Sequence, residues 1–466
     1  MTPVTLTATA RDRRPAWSNP DFRRLWRGSA ASTLGSEIAE LALPLFALVT
    51  LSASAAEAST LRVAQFLPFL LATLPAGLLV DRLRRVRLRL MIGADLGRAL
   101  LIALIPIAAW AGVASMPGLY VVVFVAAVLT VVFQVADFAL LPAIVTADQL
   151  VDANGKLSAT QSASEIGGRG IGGLLVQFLT APAALVLNAL GYLVSALSLS
   201  RITLPAPGAD GLRRASGADE LRPAPGADGL PPAAGGGEPP SAPGRAEPRR
   251  ARREGLAGVG VLLRHRYVRP LAGEAATFNL FNEAFVLGLM LYAVRDAHLS
   301  PIAIGAVFTA GGVGSFLGAW FGARFTTRFG YGRVLLVTLI LGNGAPLGVL
   351  LAGHAGAGLL PLFCAVFVVM GVGIGIANVH AVSLRQAAVP AELRGRVNAA
   401  YRLISWGAVP VGAALGGVVA TQAGPFAAMA VGAVGISLAT LWVAFSRVPA
   451  LAGIHEAERF EGATAG

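Results

Sequence analysis

Charge is scarce in this chain. Only 13% of its 466 residues are Asp, Glu, Lys or Arg, whereas 55% are hydrophobic. Soluble domains carry about 25% charged residues, so a water-facing globular surface is excluded for most of the length. Cysteine is scarcer still: Cys364 stands alone, which rules out an intrachain disulfide and any cysteine-based metal centre. Lys156 is the sole lysine. Signatures of soluble catalysis are missing too. There is no GxxxxGK[ST] phosphate loop, no HExxH pair and no GxSxG elbow, so neither an ATP-driven pump nor a hydrolase is indicated. The histidines, His265, His298, His354, His380 and His455, are dispersed, and no metal site is expected.

What is present is a series of long apolar runs. A helix that spans a bilayer takes about 20 mostly apolar residues. Runs of that length occupy 28–50, 60–80, 90–110, 119–141, 157–179 and 181–200, then 271–294, 302–323, 334–353, 359–381, 397–421 and 426–446. Hydrocarbon offers backbone groups no partner, so continuous helices are the natural solution. The expected architecture is an all-α integral membrane protein of twelve transmembrane helices in two pseudo-symmetric six-helix halves, 28–201 and 271–446. A tail at 1–27 precedes them and another at 447–466 follows. The first tail is polar, with six arginines, so it is expected to be retained rather than cleaved.

Between the halves, 202–254 is rich in Pro and Gly and repeats PGADG at 207–211 and 225–229. Such a sequence buries too little apolar surface to fold, and disorder is expected. From 255 to 270 the pattern turns helical, with Leu256, Val259, Leu262 and Leu263 beside Arg252, Arg253, Arg264 and Arg266. That alternation suits a helix lying at the membrane interface.

The formal charge of +12 is distributed like that of a membrane protein, not a nucleic-acid binder. All but four of the 37 Lys+Arg residues fall in alternate breaks, tails and adjoining helix ends, the exceptions being Arg62, Arg98, Arg169 and Arg295. Positive residues stay on the cytoplasmic side, so both termini and the linker are expected there, in an inner (cytoplasmic) membrane. The basic cluster at 81–89 is expected to meet anionic lipid headgroups.

A weak internal repeat relates the halves. Gly77, Asp81, Arg82, Arg84 and Arg85 follow span 2, and Gly322, Arg324, Arg328, Gly330 and Arg333 follow span 8. These residues resemble the loop 2–3 motif G-x-L-a-D-r-x-G-r-r of the major facilitator superfamily, with Arg84 in place of the second glycine and Thr326 in place of the second-half Asp. A narrower resemblance is to its drug–proton antiporter branch, which includes macrolide exporters and the enterobactin exporter. It rests on 19–26 (NPDFRRLW), 42–45 (ALPL), 149–154 (QLVDAN), 389–397 (VPAELRGRV) and 405–410 (SWGAVP). The branch motif in span 5, G-x-x-x-G-P-x-x-G-G, is matched by Gly168, Gly172 and Gly173, which are expected to allow close helix packing. Ser164 replaces its first glycine and Arg169 its proline.

Ionisable groups inside a membrane are costly and usually face a cavity or a partner. Glu37 and Glu40 share a face of span 1, and Glu283 lies mid-span with Asn279 and Asn282 nearby. These are the expected proton or substrate residues of a central cavity. Glu165 and Arg169, four apart on span 5, are expected either to pair with each other or to present Arg169 to an anionic group. Asp95, Arg98 and Asp137 lie nearer the cytoplasmic side, where pairing with Asp81, Arg82 and Arg85 of the turn would close an inner gate, and Gly77, Arg328 and Arg402 are further candidates for that gate. Phe281, Phe285, Trp320 and Trp406 could form a lipophilic pocket, but are read first as packing or interfacial residues.

The resemblance implies a secondary transporter, driven by a proton gradient with no cofactor, that exports a small lipophilic or amphiphilic molecule of the antibiotic or siderophore class. Substrate would bind near the midplane, with the halves rocking about it. A single chain holds both halves, so a monomer is expected to function. Two other readings stay open: a metabolite facilitator or importer without proton antiport, and a transporter-like sensor or scaffold.

Overall fold

The structure, a computed structural model, describes residues 15–82, 86–146, 149–202, 259–454 and 456. Among them there is no strand. Twelve long helices carry the chain back and forth: α1 (Pro20–Leu45), α2 (Ala55–Arg82), α3 (Arg87–Trp110), α4 (Met116–Ile144), α5 (Leu150–Phe178), α6 (Ala181–Ser200), α7 (Val268–Arg295), α8 (Pro301–Phe329), α9 (Tyr331–Gly344), α10 (Leu359–Ala388), α11 (Ala391–Ala423) and α12 (Pro425–Ala439). Nine stretches among the described residues are long and apolar enough to cross a membrane, one of which, Tyr331–Ala388, contains both α9 and α10. α2, whose stretch 63–80 carries no charge, and α5, which holds Glu165 and Arg169, complete the set.

Local chemistry sets the helix ends. The Asn19 side chain accepts from the amides of Asp21 and Phe22, and Pro20 opens the first turn of α1, inside the stretch read as a polar tail. The Ser115 side chain caps α4 in the same way. Gly330 alone joins α8 to α9 with φ of +86°, a left-handed turn that a residue with a Cβ resists. Two spans are less regular than their apolar runs predict. α9 gives way at Ala345–Leu351 to a tight 3-10 segment containing Pro346, since proline supplies no amide. α12 is interrupted at Thr440, whose hydroxyl donates to the Leu339 carbonyl. At its far end α1 passes Pro44 and continues as a π-helical turn over Phe46–Thr50.

Packing follows a two-fold rule in which helix n corresponds to helix n+6. In the first half α1 packs on α5 and α6, α2 on α4, and α3 on α4 and α6; in the second, α7 packs on α11 and α12, α8 on α10, and α9 on α10 and α12. The seam between halves obeys the same rule, being formed by α5 against α8 and α2 against α11. An apolar cluster closes this seam on the side away from the termini, where Leu41, Leu45 and Leu48 meet Leu287, Met290 and Leu291. On the side of the termini each half keeps its own cluster, around Phe22, Met91 and Leu140 in one and Leu271, Leu335 and Leu384 in the other.

Apart from Ile202, the stretch expected to be disordered lies outside the described residues. Of the expected interfacial helix, 259–264 is helical, a turn follows at 265–267, and 255–258 lies outside the described residues.

Candidate functional site

A cavity of about 590 Å³ lies between the halves. Its walls come from α1, α2 and α5 on one side and from α7 to α11 on the other. It runs from the closed seam toward the side of the termini, reaching Leu271, Leu335, Ala381 and Tyr401.

Arg62 of α2 is the hub of its polar wall. Nε and Nη2 donate to the two carboxylate oxygens of Glu283 on α7, each at 3.1 Å. Nη1 donates to Glu40 Oε1 at 2.7 Å and to Gln65 Oε1 at 3.2 Å. The guanidinium also sits 4.8 Å from the Phe66 ring centroid. Arg62 is 11% exposed and the Glu283 side chain 9%. This two-point grip is the geometry for which arginine is suited and lysine is not. One residue thereby joins α1, α2 and α7, across both halves.

Arg169 does not pair with Glu165. Its Nε lies 3.3 Å from Glu37 Oε2 on α1, and its guanidinium 5.7 Å from the Phe308 ring centroid. Glu165 instead accepts from Gln161 at 3.1 Å and lines the cavity. The cause is Gly168. A Cβ there would stand 2.5 Å from the Cβ of Glu37, so its absence lets α1 close onto α5 and puts Glu37 beside Arg169. A pair along one helix is worth only about 0.3–0.5 kcal/mol and yields to this contact. Gly172 rests on the Ile38 carbonyl of α1, whereas Gly173 packs across the seam, where a Cβ would stand 2.6 Å from the Pro301 carbonyl of α8.

Glu274 differs from the other acids. Its Oε1 accepts from Asn343 Nδ2 at 3.1 Å, and that amide also donates to Thr440 at 3.2 Å. Among the described residues no arginine, lysine or histidine lies within ion-pair distance of it. Asn279 ties α7 to α11 through the Ser405 carbonyl at 2.9 Å, and Asn282 lines the cavity. Apolar surface comes from Phe66, Phe278, Phe308 and Trp406. Of the four aromatics read as packing or interfacial, only Trp406 faces this space. Phe285 is buried against Phe367, Trp320 is 65% exposed, and Phe281 lies in a separate groove.

The expected gate residues divide. Asp95 and Arg98 form an ion pair inside the first half, with Arg98 held between the rings of Phe133 and Tyr192, 4.4 and 4.3 Å from their centroids. Asp137 of α4 faces the same pair. Arg328 and Arg402 are exposed. Gly77, Asp81 and Arg82 belong to the helical backbone of α2; their surroundings, and Arg85 altogether, lie outside the described residues.

Sequence reasoning passed over Arg62, Gln65, Asn343 and Tyr401. Only Arg62 left a signal, as one of four basic residues outside the charge asymmetry. Among the described lining residues the charges are Glu40, Glu165, Glu274 and Glu283 against Arg62 and Arg169. The space is therefore acidic inside a basic chain, and low-dielectric walls focus that field. No group of three His, Cys, Asp or Glu able to hold a metal ion is found among the described residues.

A family model described as Major Facilitator Superfamily matches residues 25–411 and, in a second match, 275–463. No curated protein matches the chain. Solved structures resemble it throughout. A bacterial homologue of the iron transporter ferroportin, in an inward-facing state, superimposes with a TM-score of 0.61 at 16% identity, covering 91% of this chain and 98% of that one. The nucleoside transporter NupG gives 0.64 at 11%, covering 91% and 97%. The xylose transporter XylE from E. coli, in an inward open conformation, gives 0.60 at 13%, covering 92% and 96%.

Proposed function

Because the chain belongs to the Major Facilitator Superfamily, and is thus a multi-pass secondary transporter and not an enzyme, we propose that it exports a small amphiphilic cation in exchange for protons. One observation carries this reading. Among the described residues, the charged groups lining the cavity are four carboxylates and two guanidinia, and Glu274 has only a neutral hydrogen-bond donor. A cavity with surplus carboxylates accepts either protons or a cation, and competition between them for the same oxygens is the simplest form of exchange.

In this scheme Glu274, with Glu283 and Glu40, holds protons or the substrate's charged head, while Phe66, Phe278, Phe308 and Trp406 take its apolar body. A proton displaced by the substrate leaves to water on the side of the termini, and the arginine distribution supports reading that side as the cytoplasm. Closure of the cavity on that side and parting of the seam on the other completes the cycle. The acidic lining favours an amine-bearing drug over an anionic catecholate siderophore. It also fits an organic cation better than a metal ion, since no cluster of metal-binding side chains occurs among the described residues. The resemblance to the drug–proton antiporter branch supports antiport and an inner-membrane location, and the presence of both halves in one chain supports a functional monomer. Facilitated diffusion is the second reading, favoured by Arg169 at the motif proline and its commitment to Glu37.

The test uses purified protein in liposomes with an acidic lumen and a trapped pH dye. Measured against protein-free liposomes, in which an amine entering as its free base already consumes lumenal protons, amine-bearing macrolides and permanently charged quaternary ammonium amphiphiles are expected to alkalinise the lumen faster with the protein present, while a neutral lipophile and a catecholate siderophore show no difference. Equilibration of radiolabelled substrate with no change in lumenal pH would establish the facilitator instead.

A further inference from the structure

We propose that a second site, on the outer surface of the second half between α7 and α12, binds an anionic phospholipid of the leaflet on the side of the termini. It is a groove of about 800 Å³ and shares no lining residue with the central cavity.

The groove has two chemically distinct ends. At the end nearer the termini stand Arg266 and Arg269, beside the first turn of α7, and Arg447, just past the last turn of the α12 segment. Among the described residues that line it there is no acid. Arg269 and Arg447 are exposed, and Arg266 is half-buried with its guanidinium 5.0 Å from the Tyr267 ring centroid. The opening amide of α7 is already engaged, Val268 donating to His265 Nδ1 at 3.2 Å. Any phosphate bound here is therefore held by guanidinia, which grip it through paired donors.

The rest of the groove is largely apolar and bare: Phe445, two residues before Arg447, is 86% exposed, and beyond it Trp442 is 49%, Leu441 45% and Leu438 51% exposed. The wall is also stiff. Trp442 Nε1 donates to Thr277 Oγ1 at 3.0 Å, and its ring lies on Gly273, where a Cβ would stand 2.5 Å from the indole. An indole anchored by its N–H at membrane depth is the amphipathic arrangement favoured at the interface. A basic head with an apolar trough beneath it fits one occupant: a phosphate without a compensating cation, joined to acyl chains. Basic pockets between transmembrane helices on this side select such lipids. A zwitterionic lipid brings its own positive group and gains less, and a soluble phosphate leaves the trough uncovered.

The test is delipidated full-length protein in mild detergent, titrated with phosphatidylglycerol or phosphatidylcholine, with native mass spectrometry reading bound lipid. Wild type is expected to prefer phosphatidylglycerol by at least about tenfold. The triple variant R266Q/R269Q/R447Q should lose that preference, and R266K/R269K/R447K should retain most of it, with circular dichroism checking that both fold. Trp442→Ala should weaken both lipids together. Equal binding of the two lipids by wild type, or a preference surviving in the glutamine variant, overturns the proposal. So does glycerol 3-phosphate competing as strongly as the whole lipid, which would make this a soluble-phosphate site. The inference does not depend on what the central cavity carries.

Discussion

Arg62 and Glu283 lie 3.0 Å apart across the seam between the two six-helix halves, one on α2 and the other on α7. Ser59 also donates to the Ala413 carbonyl across the halves, but Arg62–Glu283 joins opposite charges there, and Arg62 is held in place by its second contact, with Glu40 inside the first half. In a buried setting the value of such a pair lies less in its net stabilisation than in the cost of breaking it from one side.

Arg62→Gln leaves Glu40 and Glu283 facing each other, with only the more distant Arg169 of the cavity wall as counter-charge. Removing one partner of a buried pair costs about 3–5 kcal/mol. Transport in liposomes is expected to fall at least tenfold, with a clear loss of thermal stability in detergent. The double variant R62Q/E283Q should recover much of the stability and none of the transport. Undiminished transport by the single variant would show that the pair is incidental.

Glu274→Gln removes a carboxylate that has no cationic partner among the described residues, and glutamine can still accept from Asn343. Stability is expected to hold or rise slightly, because a costly buried acid has been neutralised. Proton-coupled exchange of a cationic substrate should drop at least tenfold. Glu283→Gln should destabilise the protein as well, since it strips Arg62 of its two-point partner. Equal thermal shifts for the two variants would contradict this difference.

Gly173→Val places side-chain atoms where a Cβ alone would already stand 2.6 Å from the Pro301 carbonyl. Overpacking of this kind costs about 1–3 kcal/mol, and here it acts on the closed seam only. The expected result is a protein that folds but rests open on the side away from the termini. Spin labels at the ends of α5 and α8 would report a longer separation than in wild type. An unchanged distance would refute the assignment.

Arg98→Ala strands Asp95, which is 0% exposed. A loss of about 3–5 kcal/mol is expected, read as a lower unfolding temperature with little direct effect on substrate affinity. The paired change D95N/R98M should restore most of it. A single variant as stable as wild type would remove the pair from the framework of the first half.

The helices were legible in the sequence because most apolar runs end at charge, proline or glycine. Even α5 was recognisable, despite Glu165 and Arg169, since its neighbours fixed the spacing. The interruption of α9 was not, because Pro346 lies within an otherwise apolar run and only packing decides how the chain turns there. The carboxylates of the site were visible from their depth, but their partners were not. Arg62 meets Glu40 across 22 residues and Glu283 across 221, and nothing local encodes either contact. The expected Glu165–Arg169 pair shows the limit most plainly. Spacing on one helix brought those two within reach, but Gly168 admitted α1, and Glu37 with it.

The contact of Gly173 with Pro301 and Gly305 has a consequence for leakage. Backbone lies on backbone at this point, with no side chain to swing aside and so no hinged flap that thermal motion could open for an instant. Water and protons can pass here only if whole helices part. The barrier at this contact is then as cooperative as the motion of the halves themselves.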